Sequence, residues 1–372
     1  MIYLVCFAVS AVLAHLAGKT ENKKLFYFFS VLSVSVVVLL AGLRDFSIGV
    51  DTVSYMEKKL YWDGAIKSAT FRDYILFYID SGYGEPIFAT LVGIVAQFTG
   101  NYSIFLTIVH AIIVICVYIG AIRLKKWVNP EIVLLIFYFF FFNHSLNGIR
   151  QYMAMAIIFA FFADLLEKKY LKFFLAIILA LTIHTISVVA FGFIALHFIM
   201  YNEKIPFTLR QREIGVIVLL GLAVFGFKPL VYIAIKLGVL NKRYGYIFEN
   251  NVEPALIIIL IVLAGLAAAF YFRKEIAEKC EHSEFFIMCS VCYLLLLMLT
   301  FFVALTKRIA IVFGMADMVT LALVQSSPTE KKKKILATAG VLGIAFVYWF
   351  YVYIFRNASQ TFPYNFFFLT EV

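Results

Sequence analysis

The chain has 372 residues, 64% of them hydrophobic and 15% charged, with a mean hydropathy of +0.96. That composition excludes a soluble globular domain and is that of a polytopic membrane protein. The net charge of +10 does not point to nucleic acid, because the basic residues sit in short loops between apolar runs, where membrane topology accounts for them.

Apolar segments fall at about 2–17, 25–43, 85–99, 103–122, 131–143, 148–166, 172–184, 186–200, 213–228, 254–272, 284–305, 308–325 and 335–355. The first reads as a retained span, since Lys19, Lys23 and Lys24 follow it instead of preceding it. Basic groups recur at Arg123–Lys126, Lys168–Lys172, Lys204–Arg212, Arg273–Lys279 and Lys331–Lys334. All of them fall on the cytoplasmic side if 85–99 is a re-entrant or tilted segment with both ends outside. The rival is a full crossing at 85–99, which leaves Arg123–Lys126 outside. The first solution gives an all-α protein with about 12 transmembrane helices plus the re-entrant segment and with both termini outside.

Two stretches invite a break. Residues 171–200 exceed what one straight span needs and are interrupted at His184-Thr185, so two short helices meet at His184 or one helix is strongly tilted. Lys228-Pro229 either starts a separate interfacial helix over 229–240 or kinks one that continues. Outer loops near 44–84 and 237–253 mix aromatic and charged residues. No repeat and no soluble domain stands out, and residues 1–372 read as a single membrane domain. Cys289-x-x-Cys292 has redox or metal spacing but no second pair, and is read as packing, so no metal and no cofactor is expected.

With this topology several polar residues reach the outer face. Arg44 and Asp51 follow the second segment, Glu85 opens the re-entrant one, and Asn143, His144, Asn147, Arg150 and Gln151 mark an outward turn. His184 lies in the broken stretch, and Lys307 and Arg308 open a later one. Three arginines outside run against the usual bias of positive charge toward the cytoplasm. Guanidinium forks bind phosphate oxygens through bidentate, charge-assisted hydrogen bonds, so Arg44, Arg150 and Arg308 are expected to hold a pyrophosphate. Each residue also has a plainer reading. Arg44 beside Asp45 suits a stop-transfer pair, Arg150 a headgroup contact, His184 a core hydrogen bond, and Lys307 and Arg308 snorkelling anchors. Tyr55 reads as interface packing, Asp164 as a helix-end charge, and Asp317 as either a structural hydrogen bond or a cavity group.

The segment Leu43–Tyr55, LRDFSIGVDTVSY, resembles the R-x(4)-G-x-D-x-x-x-Y signature of EpsG-type and Wzy-type polysaccharide polymerases. NGIRQYMAMAI at 147–157 resembles that family's N-x-I-R-Q segment, IHTIS at 183–187 approximates its I-H-x-S element, and Lys307-Arg308 resembles its late basic element. The resemblance implies an enzyme of a bacterial inner membrane, related in fold to GT-C-class glycosyltransferases. It would join polyprenyl-pyrophosphate-linked oligosaccharide repeat units on the periplasmic face by glycosyl transfer without a metal. Arg44, Arg150 and Arg308, with Lys307 and Gln151, would hold the pyrophosphate. Asp51, then His184, then Glu85 are the candidate bases. The partners are then the lipid-linked glycan substrates and the bilayer, with a chain-length regulator left open and no nucleic acid. The alternatives are a flippase or transporter for the same lipid-linked oligosaccharide, or an O-antigen ligase.

Overall fold

A computed structural model describes residues 1–57, 61–82, 85–237, 256–301 and 306–369. No β-strand occurs among the described residues, and the chain divides into two compact units, one formed by Met1–Val188 with Leu342–Val372 and one by Val189–Val341.

The first unit starts with α1 (Ile2–Lys19) and α2 (Lys23–Gly42), joined by a tight turn in which Asn22 caps α2 by accepting the Lys24 and Leu25 amides. Three short helices follow, α3 (Val50–Glu57), α4 (Trp62–Lys67) and α5 (Phe71–Asp80). They form a small cap with an aromatic core. Tyr61, Trp62, Tyr74 and Tyr78 are all buried, as are Phe88 on α6 (Pro86–Thr99) and Phe105 on α7 (Tyr102–Arg123). The stretch read from sequence as an outer loop is therefore a packed helical element, because its aromatics recur at helical spacing and bury one another.

Helix α6 begins with Pro86 at its first turn and ends at Gly100, whose φ of +60° stops the helix. Its 14 residues reach about 21 Å at 1.5 Å per residue, short of a hydrocarbon core of about 30 Å. Both ends lie at the end of the unit where α2 finishes. Ser103 Oγ, just past α6, donates to Gly42 O at 2.6 Å, and Glu85, just before it, meets Arg150. Helices α2 and α7 approach so closely that a Cβ on Gly42 would sit 2.0 Å from Thr107 Oγ1.

Helix α8 (Pro130–Phe137) runs into a π-helical turn, Tyr138–Phe142, then α9 (Asn143–Ser145), and after a short break α10 (Ile149–Ala160), α11 (Phe162–Leu166) and α12 (Tyr170–Leu181). A second π-helical turn, Phe350–Phe355, lies against the first, and Tyr353 OH donates to the Phe140 carbonyl at 2.7 Å. The wider π register frees backbone carbonyls for such side-chain donors. Asp164 on α11 pairs with Arg123 at 2.5 Å, which agrees with its reading as a helix-end charge.

The second unit holds α13 (Phe191–Tyr201), α14 (Leu209–Lys236), α15 (Leu256–Tyr271), α16 (Arg273–Lys279), α17 (Ser283–Met298) and α18 (Thr306–Ser326), and α19 (Lys331–Trp349) carries the chain back to the first. Thr208 and Gln211 form a capping box at the start of α14, which continues through Pro229 as one helix. A separate helix starting at Pro229 is therefore not formed, since propagation on both sides of the proline outweighs the one hydrogen bond it removes. The basic-aromatic stretch expected around 242–246 lies outside the described residues. Arg273 ties three helices together, donating to Glu213 at 2.6 Å and to Glu284 at 2.7 and 2.9 Å. Asp317 is buried on α18.

Among the described residues six helices are long and apolar enough to cross a membrane, and a seventh is reached if α15 and α16, bent by 73°, count as one span. Five further apolar stretches form shorter helices, Pro86–Thr99, Pro130–Ser145, Ile149–Ala160, Tyr170–Leu181 and Thr185–Tyr201, and 213–228 lies within the 28-residue α14. Turn and polar residues divide several of the apolar runs. The run over 171–200 is one of these. It breaks after Leu181, leaves His184 outside any helix and resumes as a 3-10 turn, Thr185–Ala190.

Candidate functional site

The segment Leu43–Tyr55 and the turn Asn143–Arg150 meet at one end of the first unit. Gly49 has a φ of +97°, and a Cβ there would stand 3.0 Å from both Asn147 Oδ1 and Thr52 Oγ1. Only glycine suits that backbone in that space. Asn147 bridges the segment to the C-terminal chain: its Oδ1 accepts the Asp51 N–H at 3.2 Å, and its Nδ2 donates to Ser359 O at 3.1 Å.

Ser359 belongs to a strap that sequence reasoning missed. After the last helix the chain turns back and docks on this end of the unit. Gly49 N–H donates to Gln360 O at 2.9 Å, Asp45 N–H to Asn365 O at 2.9 Å and Phe367 N–H to Leu43 O at 3.1 Å. Asn143 Nδ2 donates to Thr361 Oγ1 at 2.8 Å, and Tyr3 OH to Thr361 O at 2.8 Å. The sequence signal was a polar run, Asn357–Thr361, following a long apolar one.

Arg44 departs from the expectation placed on it. It is fully buried, and its fork is spent on two carbonyls: Nη1 donates to Ala41 O at 2.8 Å and Nη2 to Leu146 O at 3.0 Å. Both carbonyls end helical turns, where backbone dipoles leave negative charge. Burial lowers its pKa to about 10, which leaves it cationic at neutral pH.

Arg150, in the first turn of α10, stands differently. Its Nε donates to Tyr55 OH at 3.2 Å, and its Nη1 is ion-paired with Glu85 Oε2. Its guanidinium carbon lies 5.6, 5.2 and 5.8 Å from the ring centres of Tyr55, Tyr61 and Phe88. Such a cage holds a cation by its ring faces. Burial pushes the Tyr55 phenol above its usual pKa; Arg150 opposes this, and the carboxylates of Asp51 and Glu85 add to it.

Glu85 joins α6 to the broken stretch. Ile87 N–H donates to Thr182 O at 3.1 Å, Thr185 N–H approaches Glu85 Oε1 at 3.4 Å, and His184 Nδ1 lies 3.5 Å from the same oxygen. His184 Nδ1 also accepts the Ile186 N–H at 3.2 Å. The side chain of Glu85 is 7% exposed, against 21% for Arg150 and 19% for His184. Arg150, Glu85 and His184 therefore form one cluster, with Tyr55 as its link to α3. Asp51 is exposed on the first turn of α3. Gln151 is buried next to Arg150 in sequence. Lys307 and Arg308 open α18 in the second unit, Arg308 exposed and Lys307 half-buried, while the Arg150 cluster is formed by residues of the first unit.

The arrangement offers a caged guanidinium beside a carboxylate and an imidazole, a set that can hold an oxyanion and exchange a proton. Tyr61 and Phe88 were not picked out from sequence as site residues, and Tyr55 was read as packing; the spacing of Tyr55 four residues after Asp51 on one helix was the available sign.

The model of the EpsG family matches residues 24–366, a range that takes in the Leu43–Tyr55 segment, the Asn147–Gln151 turn, His184 and the strap as far as Phe366. No curated protein and no solved structure matches the chain. With nearly the whole chain inside that match, the protein belongs to the EpsG family, the family of Wzy-type polysaccharide polymerases.

Proposed function

We propose that this protein lengthens a polysaccharide by glycosyl transfer between polyprenyl-diphosphate-linked oligosaccharides at the outer face of a bacterial inner membrane. The observation that carries the reading is Arg150, a part-exposed guanidinium held by three aromatic rings beside Glu85 and His184. The growing chain on its lipid diphosphate is the donor, and a lipid-linked repeat unit supplies the acceptor hydroxyl.

As the anomeric C–O bond breaks, negative charge grows on the diphosphate. Arg150 takes up that charge in place of a metal, lowering the barrier electrostatically. Gln151, next to Arg150 in the first turn of α10, is a further candidate ligand for the same group. Arg44, buried with Nη1 and Nη2 each on a backbone carbonyl, positions the Leu43–Tyr55 segment without touching the lipid. Asp51, His184 and Glu85 remain the candidate bases for the acceptor hydroxyl, and the ion pair and imidazole contact of Glu85 move it to the front.

In this reading α8, α10, α12, α13 and α14 cross the bilayer in company with the seven longer spans, giving twelve crossings with α6 as the re-entrant segment, and the fold is akin to that of GT-C enzymes. The basic loops face the cytoplasm and the Arg150 cluster faces outward. Lipid tails reach the site laterally from the bilayer, and a chain-length regulator is a candidate partner.

The test is polymer length in cells carrying Arg150→Ala at normal membrane levels. Accumulated single repeat units on lipid support the reading, and full-length polymer refutes it.

A further inference from the structure

The guanidinium of Arg150 already holds an anion, the Glu85 carboxylate. We propose that Glu85 is a built-in stand-in for the substrate diphosphate. When the diphosphate displaces it from Arg150, the freed carboxylate becomes the base for the acceptor hydroxyl. The proposal rests on the diphosphate reading of Arg150 given above.

Three observations lead to it. First, the two partners differ in access: the Arg150 side chain is 21% exposed and that of Glu85 is 7% exposed, so an incoming anion meets the guanidinium while the carboxylate stands behind it. A diphosphate carries more charge and more acceptor oxygens than a carboxylate, so it wins the fork. Second, the cage of Tyr55, Tyr61 and Phe88 keeps the guanidinium in place while its anion changes, since ring faces attract a cation whichever anion lies at its edge. Third, among the described residues the other oxygen of Glu85 has only long contacts, 3.4 Å to the Thr185 N–H and 3.5 Å to His184 Nδ1. Without Arg150 these hold the carboxylate weakly, so its oxygens are free to turn to the acceptor hydroxyl.

The step then balances. The acceptor O–H gives its proton to Glu85, whose other oxygen stays beside His184 at 3.5 Å. The acceptor oxygen forms the new bond to the donor's anomeric carbon. The bond from that carbon to the diphosphate oxygen breaks, and its electron pair leaves with the diphosphate on Arg150. Departure of the diphosphate returns Arg150 to Glu85, which releases its proton. The base is thereby withheld until a leaving group is bound, so a lone acceptor is not activated.

The experiment uses the full chain in detergent micelles with farnesyl diphosphate as the probe, alongside polymer length in cells. Glu85→Gln removes the internal competitor, so farnesyl diphosphate is expected to bind about tenfold tighter than to the wild type, the gain that follows when a competing closed state is abolished. The same variant is expected to lose polymer by about a hundredfold, the scale of a lost general base. Glu85→Asp restores part of the polymer. Glu85→Gln that melts normally yet binds no tighter overturns the proposal, as does one that binds tighter and polymerises as the wild type. Should Glu85→Gln fail to fold, infrared difference spectra of the wild type decide: farnesyl diphosphate shifts an ion-paired carboxylate band, and an unchanged band overturns the proposal. Arg150→Ala that binds farnesyl diphosphate undiminished overturns the underlying diphosphate reading, and this proposal with it.

Discussion

Asn147 holds Asp51 by its backbone: the amide oxygen of Asn147 accepts the Asp51 N–H at 3.2 Å while its amide nitrogen donates to Ser359 O at 3.1 Å. One side chain thus ties the start of α3 to the C-terminal strap, across 96 residues in one direction and 212 in the other.

Replacing Asn147 with Ala removes both bonds and leaves the Ser359 carbonyl and the Asp51 amide without this partner. Two ordinary hydrogen bonds contribute about 1–3 kcal/mol together. Thermal unfolding of the purified protein should fall accordingly, and polymer yield should fall further, because α3 also carries Tyr55 to Arg150. An Asn147→Ala protein with unchanged unfolding and unchanged polymer contradicts the tie.

Gly49→Ala tests the same corner from the backbone. A side chain there combines a φ of +97° with contacts of 3.0 Å to Asn147 and Thr52. Strain of about 1–3 kcal/mol follows from a non-glycine residue in such a conformation. A loss below about 0.5 kcal/mol in denaturant unfolding, the range of neutral surface changes, would refute the assignment.

Arg44 and Arg150 should separate in their phenotypes. Arg44→Ala strips the donors from Ala41 O and Leu146 O inside the protein, at a cost of about 1–3 kcal/mol for each carbonyl left unpaired. Its expected effect is less folded protein in the membrane, with farnesyl diphosphate affinity kept in the fraction that folds. Arg150→Lys should do the reverse, folding well and binding the diphosphate poorly, since an ammonium lacks the planar fork. Affinity measured on detergent-solubilised protein distinguishes them, and a loss of affinity in folded Arg44→Ala would return Arg44 to direct contact with the lipid.

Deleting the strap after Arg356 removes the acceptors of the Gly49 and Asp45 amides, Gln360 O and Asn365 O. Those two amides should exchange hydrogen faster in the truncated protein, while amides inside α17 and α18 keep their protection. Equal exchange at Gly49 with and without the strap would mean that its hydrogen bond to Gln360 does not hold in solution.

The sequence by itself determined what depends on neighbours along the chain. Apolar run length marked the helices, and His184-Thr185 marked a break. The Leu43–Tyr55 segment marked the family. Hydrophobicity, capping and turn preference act over a few residues, so they are legible without a fold. Which polar groups meet was decided only by tertiary packing. Three arginines carried equal weight as sequence, yet Arg44 is sealed between two carbonyls while Arg150 stands caged and part-exposed beside Glu85, a partner 65 residues away. The strap that closes over Arg44 begins more than 300 residues after it. A charge in a membrane protein takes whichever partner the packed helices bring within hydrogen-bond reach, and that choice is not written in its local spacing.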